Sequence, residues 1–238
     1  MKKVLFLLLF VFLFFDVIFS DDEEEDYYEL ENETSIVQQS GEYDDTVENV
    51  HYEWEYGGYN WYYDFPIAMA DIGYYESRER DVSSYNYVYS DYVEDTRDDT
   101  YLKGIADNLE RMVSDVGWDK SEAVNLAVSF VQSLEYISEG EGEEYPKYPF
   151  ETIYDGGGDC EDTSILLAAI LKEMGYGCCM IGFEDHAAVG ILSDDLYGVY
   201  YELDGNKYYY IETTNTGWEI GALPDRYNGK EAKIYPFD

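Results

Sequence analysis

Gly158-Asp159-Cys160-Glu161-Asp162 runs directly into Ile165-Leu166-Leu167-Ala168-Ala169-Ile170-Leu171 and on to Met174. This stretch is apolar nearly all round, and a helix of that kind is central and buried. Gly175 ends it. Cys160 therefore stands at the mouth of a buried helix over about Glu161–Met174. Free N–H groups and the positive end of the helix dipole favour a thiolate there. Asp159, Glu161 and Asp162 pull the other way, because neighbouring carboxylates raise a thiol's pKa. They are tolerable if Asp159 or Asp162 caps backbone N–H groups and Glu161 points to solvent.

Short β-type runs follow at Cys178–Phe183, His186–Leu192, Val199–Leu203 and Tyr208–Thr213. Asp204-Gly205 marks a tight hairpin turn between the last two. Two amphipathic helices precede the cysteine. Leu102, Ile105, Leu109 and Met112 form one stripe behind Asp98, Asp99 and Thr100, any of which can cap. Val124, Ala127, Val128, Val131 and Leu134 form the other, with Asp119 and Glu122 at the spacing of a capping box. Helices first and antiparallel strands after them predict an α+β domain.

His186 is the only histidine in the C-terminal half. The small residues Ala187-Ala188-Val189-Gly190 after it let a sheet press against the Cys160 helix. An isolated histidine is more often structural. Cysteine, histidine and acid in this chain order, however, are the parts of a thiol acyl-transfer site. Glu212, at the end of the last run, is the acid placed to accept the second imidazole N–H, with Glu202, Asp204 and Asn215 as rivals. Gln132 is a candidate oxyanion donor through its amide, or else a helix-surface glutamine.

Composition narrows the partners. The chain has 238 residues and a formal net charge of −39 from 53 acidic and 14 basic side chains. That length fits one domain with a tail, or two small ones. That field repels phosphate backbones and anionic headgroups, which argues against nucleic acid and membrane-surface binding. It suits solubility in salty surroundings or a basic partner. Met1–Ser20 reads as a signal peptide or signal anchor, with Lys2 and Lys3 before the apolar Val4–Phe15. The remainder is then expected outside the cytoplasm, secreted or surface-tethered, with membrane contact only through an uncleaved leader. Residues 21–50 read as an acidic disordered spacer, with a glycosylation-type sequon at Asn32. Residues 51–238 form the domain, of which 51–100 is aromatic-rich; Trp54, Trp61, Tyr62 and Tyr63 are expected to cover one side of the core.

Three cysteines leave an odd thiol in an exported chain. Adjacent Cys178 and Cys179 read as small core residues. No cofactor or metal is expected. Asp155 and Asp159 lack the terminal glutamate of a calcium loop, and the two histidines and adjacent cysteines do not suit zinc.

Phe130-Val131-Gln132 before Leu134-Glu135-Tyr136 opens a series of pieces in a recognisable order. Tyr145-Pro146-Lys147-Tyr148-Pro149-Phe150-Glu151-Thr152 and the Cys160 motif come next. His186-Ala187-Ala188-Val189-Gly190 and Ile211-Glu212-Thr213-Thr214 complete it. Over about Ala123 to Asp238 this resembles the transglutaminase-like superfamily of papain-like thiol enzymes, especially its mainly archaeal exported branch. The resemblance implies a papain-like core with Cys160 as nucleophile, His186 as general base and acid, and Glu212 as the orienting acid. Glu-Thr-Thr here replaces the commoner Asp-Pro-Thr, so the acid reaches one methylene further. It also implies peptidase or amidase activity on a protein or peptide, more than cross-linking, through a Cys160 thioester. The competing expectation is an inactive surface module that binds protein or glycan on the same fold. A third is a structural envelope protein in which the Cys160 segment is only a folding motif. Oligomeric state stays open.

Overall fold

The computed structural model describes residues 46–80, 89–140 and 145–237. The expected leader at 1–20 and the Asn32 sequon lie outside the described residues, as does the spacer up to residue 45. The domain begins before residue 51, because Val47–Tyr56 is already a strand, β1. It pairs along its whole length with β2 (Tyr59–Ala68) through the two-residue turn Gly57-Gly58, both at positive φ. Alternation sorts the rings: Tyr52, Trp54, Trp61, Tyr63 and Phe65 face the core, whereas Tyr62, expected to cover it, falls on the opposite parity and is exposed. Tyr59, beside the turn, is exposed too but packs on Trp61 and Trp118. The aromatic segment thus covers one side of the core, as a hairpin.

Two short helices, α1 (Met69–Glu76) and α2 (Ser90–Val93), lead to α3 (Asp99–Asp115) and α4 (Glu122–Gln132). Leu102, Ile105 and Leu109 of α3 are buried, and so are Val124, Ala127, Val128 and Val131 of α4, on the expected stripes. The capping box expected from Asp119 and Glu122 does not form. Asp119 accepts instead from the Ser121 amide at 3.0 Å and its hydroxyl at 2.7 Å, and the Glu122 carboxylate accepts from Tyr56 and Asn125. A turn of Asp119 onto the residue two places on competes with the cap. The hairpin lies on α4, with Tyr52 and Trp54 each 5.2 Å from the Phe130 ring and Trp54 Nε1 donating to Ser129.

After α4, β3 (Glu135–Tyr136) pairs in parallel with β4 (Gly157–Gly158), which α5 (Pro149–Asp155) precedes. The helix α6 (Cys160–Glu173) follows, nearly at the predicted bounds, and Gly175 at φ 83° turns the chain away. Then come β5 (Cys178–Gly182), β6 (Ala187–Leu192), β7 (Tyr200–Leu203) and β8 (Asn206–Ile211), joined by the Asp204-Gly205 turn. A last strand, β9 (Lys233–Pro236), completes an antiparallel sheet in the order β7-β8-β6-β5-β9. The fold is α+β, with a buried cysteine-bearing helix packed between helices and an antiparallel sheet.

Ala187, Val189 and Ile191 of β6 join the main core with α6, whereas Ala188 faces a second cluster with Cys179, Ile181 and Tyr210. Gly190 is needed on that far face. A Cβ there would come within 2.7 Å of Cys179 Sγ, so its smallness serves the second cluster and not the contact with α6. Cys178 and Cys179 are free and buried, on opposite faces of β5 as adjacent strand residues must be.

One buried ion pair fastens the segment in front of α5. Arg80 and Glu151 have side chains 4% and 5% exposed. Arg80 also donates to the carbonyls of Tyr75, Arg78 and Pro146, and Glu151 accepts from the Tyr148 amide and the Tyr145 hydroxyl. Removing one partner of such a pair leaves the other charge buried alone. Glu151→Ala should therefore lower unfolding free energy by about 3–5 kcal/mol in urea titration. The double variant Arg80→Met/Glu151→Met should lose much less, and equal losses would show that packing, not charge, is what the pair provides.

Candidate active site

The first turn of α6 explains where the cysteine sits. Asp159 Oδ1 accepts from the amides of Glu161 at 2.9 Å and Asp162 at 3.3 Å, and Asp162 Oδ2 accepts from the Asp159 amide at 3.3 Å. This is a capping box built from two aspartates. It needs Gly158, since a Cβ there would stand 2.4 Å from Asp162 Cβ. Asp162 also accepts from the Lys147 amide at 2.8 Å and is buried; burial and the charge of Asp159 push its carboxyl up to about 7. The carboxylates of Asp159, Glu161 and Asp162 lie within 4.8 Å of one another. Glu161 is half-buried, not turned fully to solvent.

Cys160 begins the helix, half-buried, and its sulfur accepts from the Ala187 amide at 3.4 Å. Burial pushes the thiol up to about 12, the Asp159 charge adds to this, and the amides of Ala187 and Cys160 itself only partly oppose it. At neutral pH the resting sulfur is a thiol. The helix terminus does not overcome desolvation and adjacent acids. No hydrogen bond joins Cys160 to the His186 ring among the described residues.

His186 precedes β6 and is 7% exposed. Its Nε2 bonds Glu212 Oε2 at 3.0 Å. The carboxylate can only accept, so the proton is on Nε2 and Nδ1 is the remaining ring nitrogen. Tyr227 stacks on the imidazole at 4.9 Å and 7°, and Phe183 stacks on Tyr227 at 4.5 Å. Neither ring was singled out by sequence. Both belong to turns, and only the way β5, β6 and the 3₁₀ turn Asp225–Tyr227 come together makes them meet.

Glu212 lies one residue past β8 and is 1% exposed. Each oxygen is doubly engaged: Oε2 also accepts from Tyr210 at 2.7 Å, and Oε1 accepts from the Thr214 amide at 3.1 Å and hydroxyl at 2.7 Å. Burial alone would raise this carboxyl, but the hydrogen bond and charge of His186, with the bonds from Thr214 and Tyr210, hold it at about 2. Of the rivals, Glu202 is on β7 and Asp204 in the hairpin turn, while the imidazole is taken by Glu212. Asn215 lines the cavity described below but makes no hydrogen bond to the ring among the described residues. Next door, the Thr213 hydroxyl meets those of Thr163 and Ser164 at 3.0 Å each, bolting the start of α6 to the end of β8.

Gln132 does not fit the oxyanion role. Its amide donates to the carbonyls of Glu212 at 2.8 Å and Trp218 at 3.0 Å, and its oxygen accepts from the Gly217 amide at 3.1 Å. Both N–H bonds are occupied, in a buried side chain that clamps the Glu212–Trp218 loop.

Cys160 and His186 open on one cavity of about 350 Å³, lined also by Tyr136, Asp185, Thr214, Asn215 and Arg226. A cavity of about 380 Å³ lies elsewhere, lined by Asp107, Glu110, Arg111, Ser114, Trp118 and Lys120, with neither cysteine nor histidine in its lining. The structure thus brings Cys160, His186 and Glu212 together and leaves Gln132 in a supporting part.

No family model and no curated protein matches the chain. Among solved structures it is similar to calcium-bound LapG of Legionella pneumophila, with 18% identity, a TM-score of 0.38, and coverage of 63% of this chain and 82% of that one. Another LapG structure from the same organism gives 16%, 0.35, and coverage of 62% and 79%. A candidate cysteine protease from Cytophaga hutchinsonii gives 13%, 0.35, and coverage of 79% and 71%. Scores this low fix neither family nor activity, and the chemistry of the site rests on this chain's own geometry.

Two outcomes follow from the shifted groups. A carboxyl depressed in the folded state stabilises it above its unfolded pKa, here about 4.5, and that stability is lost as pH falls through about 2. Native protein should therefore lose about 3 kcal/mol more between pH 5 and 2 than Glu212→Gln does, as read by denaturant titration at each pH. For the thiol, alkylation of Cys160 by iodoacetamide should climb about tenfold per pH unit from pH 7 to 10. A plateau near neutrality would instead reveal a preformed thiolate–imidazolium pair.

Proposed function

We propose that this chain is a thiol-dependent amide hydrolase or acyltransferase of the transglutaminase-like, papain-like kind, working through a Cys160 thioester. The observation that carries the reading is the His186 Nε2–Glu212 Oε2 bond of 3.0 Å beside the helix-terminal Cys160 in one cavity. That bond fixes the tautomer and leaves Nδ1 as the base. Because the resting sulfur is a thiol, the proton leaves as attack begins: Nδ1 takes it while Sγ bonds the carbonyl carbon. Glu212 stabilises the imidazolium. The oxyanion falls to the Cys160 amide at the helix N-terminus, since Asp159 takes the amides of Glu161 and Asp162 and Gln132 is occupied. The imidazolium returns its proton to the leaving amine. Water, or an acceptor amine, then enters with His186 as base again, releasing the acyl group and restoring the thiol.

The substrate is a protein or peptide, the long-range field of −39 favours approach of a basic one, and the signal-like Met1–Ser20 sequence supports a location outside the cytoplasm. One feature favours the rival, an inactive binding module: burial and the Asp159 charge push the Cys160 thiol up to about 12.

A substrate-independent probe separates them. With p-nitrophenyl acetate, acetyl should transfer to Cys160 Sγ with release of nitrophenolate, and water should then clear it, both visible by intact mass and absorbance. His186→Ala should slow acylation by about a hundredfold or more, and Glu212→Gln by tenfold or more with circular dichroism unchanged. Acetylation that bypasses Cys160, or that is indifferent to His186, would transfer the assignment to the binding module.

A further inference from the structure

The cavity at Cys160 contains two charged side chains besides His186, Asp185 and Arg226. Asp185 is answered by Lys230 at 3.7 Å. Arg226 has no ion pair among the described residues. The chain carries 53 acidic and 14 basic side chains, so an arginine finds a carboxylate easily. Arg78, Arg80, Arg97 and Arg111 each do, with Asp95, Glu151, Asp71 and Asp115. Arg226 alone of the arginines has no ion pair among the described residues, and it is the one that borders the nucleophile's cavity.

Arg226 is exposed, with an aromatic ring beneath it that Lys230 Nζ also approaches, at 5.1 Å. The guanidinium lies over the Tyr227 ring, 4.7 Å from the centroid. Tyr227 is fully buried and stacks in turn on His186 at 4.9 Å. The guanidinium and the imidazole thus share contact with one buried ring. An arginine held this way presents paired N–H donors that match a carboxylate. The surrounding field repels polyanions, so a single carboxylate close to the reacting bond fits better than a phosphate-rich ligand.

We infer that Arg226 binds a carboxylate of the acyl substrate next to the scissile amide. The carboxylate is either an acidic side chain or a free chain terminus. The inference rests on Cys160 being the nucleophile, and it sets a local acidic preference inside a site whose distant field favours basic partners.

Alkylation rates test it without knowledge of the natural substrate. Iodoacetate and iodoacetamide differ in the carboxylate alone, and their rate ratio at Cys160 cancels any general change in thiol reactivity. The ratio at pH 8, by peptide mass mapping, should exceed that of the urea-unfolded chain. It should fall about tenfold or more in Arg226→Gln and be partly kept in Arg226→Lys. The source follows from protection against iodoacetamide: N-acetylglutamine offers only a terminal carboxylate, N-acetylglutamate α-amide only a side-chain one, and the stronger protector names it. An iodoacetate ratio no higher than in the unfolded chain, or one unmoved by Arg226→Gln, overturns the inference while leaving the thiol enzyme standing. A Cys160 that takes up neither reagent in the native protein removes both.

Discussion

The burial of α6 organises everything else. From Ile165 to Leu171 the helix has no face that tolerates water, so neighbours must cover it all round. The helices α3, α4 and α5 do so on one side, and strands β5 and β6 on the other. A helix enclosed along its length can meet solvent chemistry only at an end. The N-terminal end here keeps its polar groups satisfied with a two-aspartate box, which puts Cys160 at the boundary between core and cavity. The same enclosure costs the thiol its solvation, and that is why its proton is held so firmly.

The acid-rich composition acts in two opposite ways around that cysteine. Asp159 and Asp162 are structural, since without them the amides of the first turn would lack acceptors. Their charge nevertheless opposes thiolate formation. The imidazole offsets this only because Glu212, fully hydrogen-bonded, remains an anion where most buried carboxyls would take a proton. The balance between a neutral thiol and a committed anion makes proton transfer part of the attack and not its precondition.

Much of the site was legible in residues close together in sequence. The Cys160 cap, the helix end at Gly175 and the Asp204-Gly205 turn are local, governed by backbone geometry that nearby side chains satisfy. The strand character of Val47–Ala68 was also present, in polar residues alternating with Tyr52, Trp54 and Tyr56, but the density of rings hid the period of two. The edge strand β9 gave no comparable signal, being short and ending in a proline. Gln132 shows the reverse case. Its position suggested chemistry, and its partners 80 and 86 residues away made it a clamp.

By itself the sequence determined the helix-terminal thiol, the order cysteine, histidine, acid, and the α+β plan. Each follows from patterning that a few neighbouring residues impose on the backbone. Only the tertiary structure decided that Nε2 faces Glu212, that Tyr227 and Phe183 stack behind the imidazole, that Arg226 borders the cavity with no ion pair among the described residues, and that the thiol keeps its proton. The reason is physical. Desolvation, stacking and ion pairing depend on which distant side chains share a small volume, and strand register and helix packing set that sharing, with no trace in local periodicity.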